Sequence, residues 1–178
     1  ANVNTSKITN LTLNQGASFT SISGIVFFNT LNLNVGNVAI TRCLFTSTGT
    51  CILFDGTASN TNVLIAQNYI TGNLSNGVGF QNYTVFFRNN FIGGPTISFD
   101  PGIVCDFTNN VLGWYSSSVQ NSTFVNNIFI SNNNNIYTQA TYNNGFENNL
   151  FRSSLTVVDT SQGNLNDVDI NTVFQGIA

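Results

Sequence analysis

The chain has 178 residues, 42% of them hydrophobic and 16 of them Phe, enough for one domain with a substantial core and too apolar for a disordered chain. Only 6% are charged and the net charge is −3, with Lys7, Arg42, Arg88 and Arg152 scattered, so the clustered cations of a nucleic-acid binder are missing. No apolar run approaches the roughly 18 residues of a membrane-spanning helix, and without histidine neither a Ser/His/Asp nor a Cys/His catalytic arrangement can form.

In chain order, residues 1–37 alternate apolar and polar side chains in "ITNLTL" and "LNLNV", the period of half-buried strands, and fit one less regular coil. A start at the small residue Ala1, in a chain lacking methionine, fits removal of a signal peptide and an extracellular or cell-surface location. From residue 38 a repeat takes over. Its best copies are "FRNNFIGG" (87–94), "FTNNVLGW" (107–114), "FVNNIFIS" (124–131) and "FENNLFRS" (146–153), with looser versions at 40–47 and 65–72.

The second residue of each pair is Cys43, Asn68, Asn90, Asn110, Asn127 or Asn149, at intervals of 25, 22, 20, 17 and 22 residues. Three positions earlier stand Ile40, Ile65, Phe87, Phe107, Phe124 and Phe146; two positions later stand Phe45, Ile70, Ile92, Leu112, Phe129 and Phe151. Five positions earlier, Val38, Val63, Val85, Cys105, Ser122 and Asn144 continue the inward alternation in at least the first four copies. Each unit reads as a strand, a bend at Asn, a second strand, a variable loop and a third short strand. "CILF" (51–54), "ISF" (97–99), "NIY" (135–137) and "LTVV" (155–158) are candidates for the third.

A unit near 21 residues with three short strands is one coil of a parallel β-solenoid. The expectation is one all-β domain over 1–178 of about seven coils, with clear repeats at 38–151 and a terminal coil and tail at 152–178. Asparagine forms strands poorly and is costly to bury without partners. Coils about 4.8 Å apart would place Cys43, Asn68, Asn90, Asn110, Asn127 and Asn149 above one another, each amide bonding to the next. A tight bend also wants left-handed backbone, which Asn tolerates.

The "F-x-N-N" units with variable loops resemble the right-handed parallel β-helix, or pectin-lyase-like, superfamily. The tail "NLNDVDINTVFQG" (164–176) looks like the ending of uncharacterised secreted surface β-helix proteins of Bacteroidota-type bacteria. The resemblance implies a right-handed solenoid, and in its enzymes clustered carboxylates on the outer face of one sheet. On that face only Arg88 and Asp106 fall on neighbouring coils, and Glu147 lies beyond an intervening Val125. This is the pattern of a surface ion pair rather than of paired catalytic carboxylates. "DVD" (167–169) reads as a terminal turn.

Cys43, Cys51 and Cys105 are an odd set; a Cys43–Cys51 bridge stays open, while Cys105 fits a small buried hydrophobe. No metal or other cofactor is expected. The residues after the ladder positions, Leu44, Tyr69, Phe91, Val111, Ile128 and Leu150, either turn into the interior or form an outward apolar stripe for lateral contacts. Asn4, Asn10, Asn73, Asn82 and Asn121 open N-x-S/T sequons and are candidate glycosylation acceptors. The leading functional expectation is a non-enzymatic structural subunit that stacks end to end, through strands at both termini, into a filament or surface layer. The alternative is a glycan-binding or adhesive module, and a lyase or hydrolase ranks below both.

Overall fold

The computed structural model describes residues 6–14, 20–55, 61–77, 83–94, 96–113, 116–131, 143–153 and 160–173. It is a parallel β-solenoid with three sheets. The first, of seven strands, comprises Thr20–Ser23, Val38–Thr41, Thr61–Ala66, Tyr83–Arg88, Ile103–Thr108, Thr123–Val125 and Gly145–Glu147. The second has eight strands: Ser6–Ile8, Ile25–Phe27, Leu44–Phe45, Tyr69–Ile70, Phe91–Ile92, Val111–Leu112, Ile128–Phe129 and Leu150–Phe151. The third has six: Leu11–Leu13, Leu31–Leu33, Thr50–Phe54, Asn73–Asn76, Thr96–Ser98 and Ser116–Ser117.

The apolar columns legible in the sequence are columns in space. Ile40, Ile65, Phe87, Phe107, Phe124 and Phe146 pair successively in register along the first sheet. Phe45, Ile70, Ile92, Leu112, Phe129 and Phe151 do the same along the second. Alternation is complete in Tyr83–Arg88, where Tyr83, Val85 and Phe87 are buried and the residues between are half-exposed. Stacked rings fill the interior: Phe87–Phe107 at 4.4 Å, Phe107–Phe124 at 4.7 Å and Phe124–Phe146 at 4.8 Å between centroids. The coil spacing therefore sets a column of near-parallel rings whose burial drives the fold.

Several expectations are corrected. The described residues complete five three-strand coils, with partial coils at both ends, rather than about seven. Residues before 38 supply two layers to the second and third sheets rather than one, because Gly24 (φ 71°) makes the same bend that Asn-containing pairs make later. Third strands also form at Asn73–Asn76 and Ser116–Ser117, whose polar composition hid them. The candidates at 135–137 and 155–158 lie outside the described residues. Near the C-terminus, Val173 belongs to a short helix, Ile170–Val173, and not to a final strand. Asp169 caps that helix: its Oδ1 accepts from Asn171 N at 3.0 Å. "DVD" is thus a turn, with Asp167 in left-handed backbone at φ 55°.

Candidate functional site

The bend between first and second sheets builds the ladder and sets what stands outside it. The left-handed residue is the first of each pair: Arg42, Gln67, Asn89, Asn109, Asn126 and Asn148 all have φ between 54° and 58°. That conformation costs most side chains energy and favours Asn. It aims the next side chain inward, so Asn68, Asn90, Asn110, Asn127 and Asn149 are buried. Asn110 is representative. Its Oδ1 accepts from Asn90 N (2.9 Å) and Asn90 Nδ2 (3.0 Å); its Nδ2 donates to Phe87 O and Asn127 Oδ1, both at 3.0 Å. All its bonding capacity is used, which is what makes burial of an amide tolerable.

The ladder begins at Cys43, whose backbone N donates to Asn68 Oδ1 at 2.8 Å and whose thiol turns to Thr41 O at 3.3 Å. It runs one rung further than the sequence repeat indicated. Asn164 Oδ1 accepts from Asn149 N and Nδ2, each at 3.0 Å, and Asn164 Nδ2 donates to Phe146 O at 3.0 Å. The apolar columns beside Asn164 are missing, with Ser161 and Asn166 in their places, so only the Asn-Leu pair at 164–165 signalled it. A second, shorter ladder enters the first sheet behind the left-handed residues Asn121 and Asn143. Ser122 Oγ accepts from Cys105 N (2.9 Å), and Asn144 Oδ1 accepts from Ser122 N (3.0 Å). The switch from valine to Ser122 and Asn144 in that column was its sequence signal.

The residues after the ladder positions turn outward. Leu44, Tyr69, Phe91, Val111, Ile128 and Leu150 pair one above another on the outer face of the second sheet, and Val26 precedes them. Tyr69 is 47% exposed, and the other five are half-buried. The Tyr69 and Phe91 rings stack at 4.7 Å. An open groove of about 690 Å³ follows the stripe. Val26, Leu44 and Tyr69 line its apolar part, and Arg42, Gln67 and Asn89 form a polar wall in which Arg42 Nε donates to Gln67 Oε1 at 3.1 Å.

On the first sheet Arg88 grips the Asp106 carboxylate with two bonds, Nη1–Oδ1 at 2.9 Å and Nη2–Oδ2 at 2.6 Å, its Nη1 also donates to Asp106 O at 2.9 Å, and Thr108 Oγ1 donates to Asp106 Oδ1 at 3.0 Å. Burial acts to raise the Asp106 carboxyl, but the Arg88 and Thr108 hydrogen bonds and the Arg88 charge outweigh it and leave it below its ordinary 3.8. Glu147 is exposed two coils beyond Thr108, with Val125 in register between them.

All three thiols are free and buried. The Cys43–Cys51 bridge does not form, since the two residues belong to different faces, Cys43 at the ladder bend and Cys51 inside the third-sheet strand Thr50–Phe54. Burial pushes all three thiols above the ordinary value of 9.0, Cys105 furthest. Of the sequon residues, Asn10 and Asn121 are exposed and Asn73 is half-buried in a strand, whereas Asn4 and Asn82 lie outside the described residues. No helix among the described residues is long and apolar enough to cross a membrane. Compared with protein-family models, with curated proteins and with solved structures, the chain matches none.

Proposed function

We propose that this protein is a non-enzymatic structural solenoid of the cell exterior, which joins copies of itself into a filament or surface layer. The observation that supports this best is the outward apolar stripe from Val26 to Leu150, a continuous lateral surface on a molecule with little charge to keep copies apart. The side is a better joining surface than the C-terminal end. There the last coil's outer groups are already taken: Asn148 N by Gln162 O, Phe151 N by Leu165 O and Phe146 O by Asn164 Nδ2. The non-enzymatic reading draws on the same geometry, since Asp106 is committed to Arg88 and Thr108 while Glu147 stands apart.

Placing charge in the stripe with Leu44→Lys and Val111→Lys leaves the interior untouched. Light scattering and electron microscopy should then show assemblies for the parent and folded monomers for the variant. A parent that stays monomeric at high concentration, or a variant that assembles as well as the parent, would sink the proposal. Surface proteolysis of intact cells tests the location.

A second reading, a glycan-binding or adhesive module of the pectin-lyase-like type, is favoured by one detail. The groove sets the Tyr69 ring beside the hydrogen-bonding groups of Arg42, Gln67 and Asn89. It requires that Tyr69→Ala abolish binding to immobilised polysaccharide. Binding that survives this change would place any glycan elsewhere.

A further inference from the structure

The few charges of this chain are sorted along the solenoid. Lys7 and Arg42 are the only charged residues before Asp55, whereas Glu147, Asp159, Asp167 and Asp169 outnumber Arg152 at the far end. Lys7, Arg42, Glu147, Asp167 and Asp169 are exposed, and among the described residues neither Lys7 nor Arg42 pairs with a carboxylate. The apolar stripe runs between these two ends. It starts beside Lys7, the register partner of Val26, and closes at Leu165, which bridges to Leu150 and is 57% exposed. We infer that two copies join stripe to stripe in antiparallel orientation, as a closed pair whose two-fold axis passes at Phe91. This rests on the lateral joining surface of the proposed function and adds the orientation of the partner copy.

Register fixes the centre of the pair. Along the paired strands Phe91 has four positions on either side, with Lys7 last in one direction and Leu165 last in the other. Reversing one copy about Phe91 therefore overlaps the full stripe. It sets the prominent Tyr69, 47% exposed, against the smaller, half-buried Val111 of the other copy, and Lys7 against Leu165. Beyond Leu165 the chain turns at Asp167 and returns through Val168 N, which donates to Phe151 O at 3.0 Å, so Asp167 and Asp169 stay at that end. Each pair thus brings Lys7 of one copy to the acids of the other, twice. Charges at the rim of an interface set orientation and register more than affinity, and like charges face to face are penalised. A parallel pair would put Lys7 against Lys7 and acids against acids. End-to-end stacking would match the charges but leave the stripe in water. Of the three, only the antiparallel pair covers the apolar surface and joins opposite charges. Because such a pair is closed, growth into a filament or layer proceeds from pairs through other surfaces.

A residue on a two-fold axis meets its own copy, and residues away from it do not. The experiment is disulfide trapping under mild oxidation, read on non-reducing gels, with sedimentation of the parent as the reference. The native thiols are buried and stay out of the reaction. Parent chains should sediment as pairs or multiples of pairs at high concentration. Phe91→Cys should link to itself about tenfold faster than Val26→Cys does, and Val26→Cys mixed with Leu150→Cys should give mixed pairs. Lys7→Glu should weaken pairing by about three- to tenfold. Val26→Cys chains that link to themselves as fast as Phe91→Cys would overturn the antiparallel arrangement and leave the lateral surface standing. So would Phe91→Cys chains that stay unlinked, or a mixture that yields no mixed pairs, while the parent still associates. Unchanged pairing of Lys7→Glu would overturn the charge matching that sets the orientation. A parent that stays monomeric would remove the lateral surface itself, and this inference with it.

Discussion

At the scale of single residues, the amide columns and the corner glycines carry most of the specificity. Asn110→Leu strips the acceptor from Asn90 N and Nδ2 and the side-chain donor from Phe87 O and Asn127 Oδ1, leaving only the backbone N of residue 110 to bond Asn127 Oδ1. Each group left unsatisfied in the interior costs about 1–3 kcal/mol, so the thermal midpoint should fall by many degrees. The exposed Asn62, changed to Ser, should shift stability by less than about 0.5 kcal/mol. Equal shifts in a melting experiment would refute the ladder's energetic role. Gly94 offers a second contrast. A Cβ there would run into the Gly72 carbonyl oxygen, which is backbone of the adjacent coil, whereas one at Gly93 would meet only the edge of the Phe91 ring at 2.8 Å. A ring can swing aside and a packed coil cannot. Gly94→Ala should therefore destabilise by clearly more than Gly93→Ala in denaturant titration.

At the scale of the strand pair, the Arg88–Asp106 contact joins two neighbouring first-sheet strands and is about one-third exposed. Solvent screens such a pair, so its contribution is about 0.2–1 kcal/mol. Its sign with pH follows from the depressed carboxyl. The stabilisation is fully present above the ordinary Asp value of 3.8 and disappears as pH falls through the lower folded value. Arg88→Gln should accordingly cost stability at neutral pH and nothing once the carboxyl is protonated. If the gap between parent and variant persists unchanged in strong acid, the loss comes from the packing of Arg88 over the Phe86 ring, 5.4 Å away, and from its bonds to the Phe87 and Asp106 carbonyls, rather than from the carboxylate.

At the scale of the whole molecule, one continuous interior controls chemical access. Cys43, Cys51 and Cys105 lie in it and their thiols are raised by burial, so the reactive thiolate is scarce at neutral pH. A thiol reagent should label the native protein negligibly and all three cysteines after denaturation. Rapid labelling of Cys105 without unfolding would show that the coils separate locally far more often than this packing implies. The lateral stripe belongs to this scale too, because six outward residues become a surface only when their coils stack.

The sequence by itself determined the period, the apolar columns at fixed offsets from each Asn pair, and hence the stacked parallel coils. The reason is that a core residue must recur at every coil, and such recurrence is visible as spacing. It could not place the bend geometry. That the residue before Asn90, and not Asn90 itself, takes the left-handed conformation is decided by which arrangement lets the buried amide meet the coils above and below. Stretches that break the columns were equally illegible: the Gly24 coil, the Asn164 rung and the polar strand Asn73–Asn76 draw their partners from neighbouring coils rather than from local pattern. The stripe shows the same division. Its members could be read off one by one, but whether they turned in or out depended on the bend, and only the packed coils settled that.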